Sequence, residues 1–276
     1  MTAAEVTTMY GLGDCVYARP AVRHLLSLYD TVYVRTPWPQ LFFDLDRVRF
    51  ASANPTTLRA QRDNMNRPFQ YEQPPRGLPA FRLTYDSNRT VPLPRQLLEC
   101  VGGSGLYDFT LPGRSPSPKP IMLAHPPTVR REWSAPARCC DPAAIQAIID
   151  LFGKDFEVIE RKPMDHEVLF GPPLLGTTPV ETPLFEELLA MVSVVSLLVT
   201  SVGFMLPLGI ALRVPTVCVF GGHLPPERLV EDCMNLRRYR SVVPINPQWG
   251  DINGNPNRQC RELDLVNAVE EVLRAA

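Results

Sequence analysis

Lysine is nearly missing from this 276-residue chain: of 28 basic residues only Lys119, Lys154 and Lys162 are lysine, and residues 1–118 have none. A lysine-rich arm gripping nucleic acid or an anionic membrane without specificity is therefore excluded, and a formal net charge of −1 excludes a global polycation. Metal-ligand spacing is missing too. The seven cysteines, Cys15, Cys100, Cys139, Cys140, Cys218, Cys233 and Cys260, include no Cys-x-x-Cys pair, so no metal site is expected. An odd set of thiols behind an N-terminus without signal-peptide character reads as a cytoplasmic location, with the thiols serving as small apolar groups. No low-complexity tract occurs, and 45% apolar against 21% charged residues describes a chain able to build a core.

What is abundant is proline, 30 residues dispersed among apolar runs, and arginine. Residues 1–118 carry 13 Arg against 10 Asp+Glu, a balance of +3; residues 119–276 carry 15 Lys+Arg against 19 Asp+Glu, a balance of −4. Arginine presents a rigid fork of donors suited to phosphate or carboxylate. The first half thus reads as anion-facing, with a GC-rich coding sequence as the plainer explanation. Residues 188–212 form a charge-free run of 25, longer than the ~20 a spanning helix needs. Ser193, Ser196, Thr200, Gly203, Pro207 and Gly209 interrupt it, so it reads as helix end, buried strand, turn and helix, with no membrane span.

The pattern along the chain is α/β. A glycine turn, Gly11-Leu12-Gly13-Asp14, precedes a helix with Val16, Ala21, Leu25, Leu26 and Leu28 on one face, then a strand over 31–34. Residues 51–98 show no clear period. Residues 112–120, proline-spaced and polar, read as a linker. Beyond it, strands are expected over 121–124, 156–159, 194–199 and 216–220, and helices over 142–152, 183–192, 205–212 and 263–274. The reading is two Rossmann-like domains, 1–117 and 118–276, facing each other across a ligand cleft at the carboxyl ends of their strands. An unrelated doubly wound enzyme such as an epimerase would instead merge both halves into one sheet.

Three stretches resemble glycosyltransferase family 9, the ADP-heptose heptosyltransferases. Gly11-Leu-Gly-Asp14 followed by Cys-Val-Tyr-Ala-Arg-Pro-Ala-Val is similar to that family's opening. Thr200-Ser-Val-Gly-Phe-Met-Leu-Pro, running on to Val214-Pro-Thr-Val-Cys-Val-Phe-Gly-Gly222, resembles its late strand–loop–helix–strand. His125-Pro126 with Arg130-Arg131-Glu132-Trp133 is a weaker match to its first donor-domain strand and basic-x-Trp element. The resemblance implies a GT-B fold with the acceptor on the first domain and a nucleotide-sugar on the second. It implies inverting transfer without a metal or other cofactor, helix N-termini and basic side chains neutralising the departing diphosphate.

On that resemblance Asp14 is the candidate general base, with a helix N-cap as its plainer role. Arg130, Arg131, Glu160, Ser201, Val202, Gly203, Gly221, Gly222 and His223 are the candidate donor-binding residues. Gly11, Gly13, Arg19, Arg62, Arg67 and Arg76 are the candidate acceptor-binding ones. The chain departs from the family at 200–207, where an acid and a histidine facing the donor are replaced by Thr200-Ser-Val-Gly-Phe-Met-Leu-Pro207. That departure keeps open a donor other than ADP-heptose, or a degenerate module that binds nucleotide or glycan without chemistry. Arginines between 59 and 95 interleave with Phe69, Tyr71, Phe81 and Tyr85, a composition that nucleic-acid grooves use. The resemblance extends to compact bacteriophage enzymes acting on hydroxymethylated pyrimidines, so the acceptor is expected to be DNA or a phosphorylated glycan.

Overall fold

The computed structural model describes residues 2–86, 88–131, 136–222, 224–230, 236–249 and 258–276. It divides into two compact units, one built on the chain up to Leu111 and the other on the chain from Pro112 onward. In the first, β1 (Ala3–Thr7) leads through α1 (Leu12–Tyr17) and α2 (Arg19–Leu28) to β2 (Thr31–Arg35), followed by β3 (Val48–Ala51), α3 (Arg59–Met65), β4 (Ala80–Arg82) and α4 (Leu93–Glu99). The strands form a parallel sheet in the order β3-β2-β1-β4. Ala4 and Val6 of β1 and Val32 and Val34 of β2 alternate into the core, where Ala21, Val22 and Leu25 of α2 are fully buried. The single helix expected here is two, because Pro20 has no N–H to continue the ladder across Ala18.

The second unit contains β5 (Ile121–His125), β6 (Thr128–Arg130), α5 (Pro142–Phe152), β7 (Glu157–Arg161), β8 (Glu167–Leu169), β9 (Thr178–Val180), α6 (Phe185–Val194), β10 (Leu197–Ser201), α7 (Met205–Ala211) and β11 (Thr216–Val219). After α8 (Glu227–Val230) it closes with β12 (Tyr239–Val242) and α9 (Glu262–Arg274). Its parallel sheet runs β12-β11-β10-β5-β7-β9, and β6 and β8 form a separate antiparallel ribbon. Counted within the unit, that is the doubly wound order third, second, first, fourth, fifth, sixth, with the reversal between β5 and β10. Asp141 caps α5 by accepting from the Ala143 N–H at 3.0 Å, with Pro142 at the first helical position. Glu187 accepts from the Leu184 N–H at 3.1 Å at the start of α6. Gly209 lets α7 lie close on the sheet, since a Cβ there would stand 2.5 Å from Leu198 and 2.7 Å from Thr216.

Several expectations need correction. The division falls at Leu111/Pro112, not 117/118, and α8 packs with α4 in the first unit, so the first unit is not one continuous segment. Strand β10 spans Leu197–Ser201 where 194–199 was expected; α7 starts at Met205 as expected, so Ser201 ends the strand, and Val202 and Gly203 form the turn before the helix and are not its first residues. The two halves pair their strands into different sheets, which removes the single-sheet reading. Residues 188–212 are shared among α6, β10 and α7, and no helix among the described residues is long and apolar enough to cross a membrane. The stretch 51–98 hides α3 because its inward face is polar. Gln61 and Asn64 are buried, and Asn64 donates to Pro37 O at 2.6 Å and accepts from Gln40 at 2.8 Å.

Candidate functional site

In the first unit the strand order reverses between β1 and β4, and the turn 8–11 leaves the carboxyl end of β1. Three groups hold that turn. Cys15 Sγ donates to Met9 O at 2.9 Å, Trp38 Nε1 donates to Tyr10 O at 3.0 Å, and Thr8 Oγ1 donates to Met9 O at 2.9 Å. Burial pushes the Cys15 thiol up to about 12, which makes it an inert pin. Gly11 is the N-cap of α1 and uses no side chain; its carbonyl accepts from the Cys15 N–H at 2.9 Å. Gly13 is the second residue of α1, and Asp14, half-buried, is the third. The plainer N-cap role for Asp14 is thereby overturned. Its carboxylate folds back over Gly11, so closely that a Cβ there would stand 2.3 Å from Oδ2. The turn therefore uses glycine at 11 to leave room for the carboxylate.

The candidate acceptor arginines separate on inspection. Arg19 is fully buried, and all five of its N–H groups are engaged: Nη1 and Nη2 with Asp44 at 2.9 and 2.6 Å, Nη1 also with Leu41 O, and Nε and Nη2 with Thr110 O at 3.1 and 2.7 Å. It is a core strut, so the acceptor role expected for it is withdrawn. Arg62 is exposed beside Asp63, Arg76 is exposed, and Arg67 lies 5.3 Å from the centroid of Phe69. Phe69 belongs to a run of edge-on rings with Tyr71, Phe43 and Phe50, whereas Phe81 stands apart against Tyr29.

In the second unit, strand alternation sorts the polar residues at the carboxyl ends into two faces. Ala124, Val158 and Val199 lie in the core under α5 and α9, so Glu160 and Ser201, two residues on from Val158 and Val199, share that face. Glu160 accepts from Thr177 Oγ1 at 2.9 Å, and burial raises its carboxyl above the ordinary value. Val202 is half-buried, and Gly203 is exposed with nothing within 4 Å of where a Cβ would stand. Gly221 and Gly222 follow β11 and are both buried. Arg130 sits in β6 opposite Glu167, and Arg131 is exposed while its N–H donates to His166 O at 3.0 Å. His223, Glu132 and Trp133 lie outside the described residues.

The other face holds a cluster that sequence reading did not bring together: His125 and Thr200, named there only within family-like stretches, and Arg161, with Phe204 ahead of α7. Arg161 Nη1 donates to Glu167 Oε2 at 2.7 Å in a buried ion pair, and Glu167 also accepts from the Met164 N–H at 3.0 Å. His125 Nδ1 lies 3.4 Å from Thr200 Oγ1, and its ring meets Phe204 edge-on at 5.5 Å. The available signal was positional: His125 and Thr200 lie at the carboxyl ends of β5 and β10, the strands that flank the reversal of order, and Arg161 ends β7 beside β5.

Burial, and the nearby Arg161 charge, hold His125 down at about 3. In the unfolded chain it takes up a proton near 6.5, which the folded ring resists, so stability is full above about pH 6.5 and declines as pH falls toward 3. Between pH 6.5 and 4.5, before Glu167 contributes its own loss below 4.5, the unfolding free energy should drop by up to about 1.4 kcal/mol per pH unit. Denaturant titrations at three pH values in that window check this. His125→Gln should flatten the slope.

No family model and no curated protein matches the chain. Solved structures do. The iron-containing dodecameric glycosyltransferase TibC of enterotoxigenic E. coli H10407 aligns over 99% of this chain and 76% of its own, with a TM-score of 0.69 at 12% identity. The E. coli heptosyltransferase WaaC with ADP gives 0.61 at 11% identity, over 98% of this chain and all (100%) of that one. A family 9 glycosyltransferase from Veillonella parvula gives 0.60 at 12% identity, over 100% of this chain and 98% of that one. The fold class, α/β with parallel sheets, thus matches the GT-B architecture of these neighbours. Among the described residues no group of three or more His, Cys, Asp or Glu is placed to hold a metal ion.

Proposed function

We propose that the protein is an inverting glycosyltransferase that moves a sugar from a nucleotide-sugar to an acceptor hydroxyl without a metal. The observation that carries this is Asp14, held at the carboxyl end of β1 where the first sheet reverses order, in a chain whose whole backbone resembles family 9 enzymes. Asp14 takes the proton of the acceptor hydroxyl as its oxygen bonds to the anomeric carbon, and the bond to the diphosphate breaks on the opposite side. The turn 202–203, open above Gly203, offers backbone N–H groups to that diphosphate, with Arg130 and Arg131 as counter-charges and Glu160 as a ribose acceptor. The acceptor is anionic, a phosphorylated glycan or a hydroxymethylated pyrimidine in DNA. Arg62, Arg67 and Arg76 on the first unit support this, as does the exposed ring of Phe43 beside Phe69.

Incubating the protein with a panel of UDP-, GDP- and ADP-sugars and these acceptors, in EDTA, tests the reading. Nucleoside diphosphate release with a product of opposite anomeric configuration is expected. Binding without release across the panel would favour the second reading, a module that holds nucleotide or glycan but performs no chemistry, to which the loop 200–207 without acid or histidine lends support. Gly11→Ala is a finer probe. The added methyl displaces the Asp14 carboxylate without entering the core, so turnover should fall by about 10²-fold while the melting temperature barely moves.

A further inference from the structure

Among the described residues, two buried polar atoms on one face of the second sheet have no hydrogen-bond partner, Arg161 Nε and His125 Nε2. They end paired neighbouring strands, since Ala124 is in register with Glu160. Buried polar groups are nearly always partnered, so an orphaned pair on the two strands to one side of the reversal point of a doubly wound sheet points to an occupant. Its chemistry follows from the neighbours. The hydroxyl hydrogen of Thr200 goes to Ser201 O at 3.0 Å, so the 3.4 Å contact with His125 Nδ1 requires the proton on Nδ1. The ring is neutral at neutral pH, which leaves Nε2 as a bare acceptor. Arg161 spends Nη1 on Glu167 and its charge is matched there, leaving Nε–H as a donor. One donor, one acceptor and no net charge suit a neutral amide and disfavour a phosphate.

The cover is Phe204. Its half-buried ring sits edge-on to His125, and the Arg161 guanidinium lies 5.3 Å from its centroid. It follows exposed Gly203, where a Cβ would meet open space, at the end of the short turn between β10 and α7.

We propose that Phe204 closes a subsite for a neutral amide group, with Arg161 Nε–H donating to the amide oxygen and His125 Nε2 accepting from the amide N–H. The subsite lies on the face opposite Glu160 and Ser201 and rests on reading this unit as a nucleotide-sugar binder. The amide comes from the lactam edge of uracil or guanine, or from an acetamido substituent on the sugar.

Calorimetry on the full chain with ADP, UDP, GDP, UDP-glucose and UDP-N-acetylglucosamine, and with free uracil and N-acetylglucosamine, separates these. An amide-bearing ligand should bind at least about tenfold more tightly than its amide-free counterpart. The UDP and GDP against ADP comparison assigns the base, and UDP-N-acetylglucosamine against UDP-glucose assigns the sugar. Arg161→Lys keeps a charge for Glu167 but loses Nε–H, and His125→Phe keeps the ring but loses the acceptor; both should abolish the preference. Nitrogen-15 spectra should show the Arg161 Nε–H resonance shifting when the amide ligand is added to wild type. Folding of both variants is checked by their unfolding transitions, and if Arg161→Lys unfolds, His125→Phe and the resonance shift decide. Nucleotides binding equally to wild type and variants, without that shift, would sink the subsite and leave the nucleotide-sugar reading standing. Binding of uracil or N-acetylglucosamine alone, lost in the variants, would keep the subsite and remove that reading. Silence from every ligand overturns both.

Discussion

Asparagine in place of Asp14 is expected to lower turnover by about 10²–10⁴-fold, the usual worth of a positioned general base, with the unfolding transition nearly unchanged. The two side chains are equal in shape, so the asparagine amide fits the space above Gly11 that the carboxylate occupies. Losing a negative charge in the first turn of α1 is worth about 0.3–1 kcal/mol at a helix N-terminus. Steady-state rates beside a denaturant titration make the comparison. Full activity in Asp14→Asn would remove Asp14 as the base without touching the nucleotide-sugar assignment. Equal losses of activity and stability would make it a helix-terminus residue and nothing more.

Arg19→Ala is expected to cost about 3–5 kcal/mol of stability, enough to threaten the first unit. The guanidinium is fully buried, and its removal takes the buried donor from the Leu41 carbonyl and the bidentate partner from the partly exposed Asp44 carboxylate, and leaves Thr110 O with Arg23 Nη2 at 2.9 Å. Desolvation lowers the Arg19 pKa, and the Asp44 partner opposes it, which is how a buried cation remains charged. Arg19→Lys should recover only part of the loss, because one ammonium cannot reach Asp44, Leu41 and Thr110 in the directions the fork does. Neighbouring Arg23, which donates to Asp108 at 2.9 Å at the half-exposed edge of the same network, should cost far less when replaced. Equilibrium unfolding of the three variants reads this ranking. An unperturbed Arg19→Ala protein would mean that water replaces the guanidinium at no cost.

The same residue shows why the acceptor side resisted sequence reading. Arg19, Arg62, Arg67 and Arg76 carry one chemical label, and only the packing of α2 on the loop that carries Thr110 distinguishes a strut from a surface cation. The strands of the second unit were more legible. The end of an apolar run marks the end of a buried strand, so the ends of β7 and β10 fall within two residues of the expected ones, and the helix after β10 starts at Met205 as expected. Residues 51–98 gave little away because α3 buries Gln61, which accepts from Thr56 Oγ1, and Asn64, which bonds to Gln40 and Pro37 O, and so leaves no apolar period to detect.

Local chemistry by itself determined the α/β class, the core strands and the bounds of α5, because apolar periodicity, proline and glycine act within a few residues of themselves; of the glycine turn expected over 11–14 only Gly11 precedes the helix, since α1 begins at Leu12. Tertiary structure alone decided the strand order, the transfer of α8 to the first unit, and the gathering of His125, Arg161, Glu167 and Thr200 at one sheet end. Those depend on register between strands tens of residues apart. A shift of one residue in that register would send each of these side chains to the opposite face.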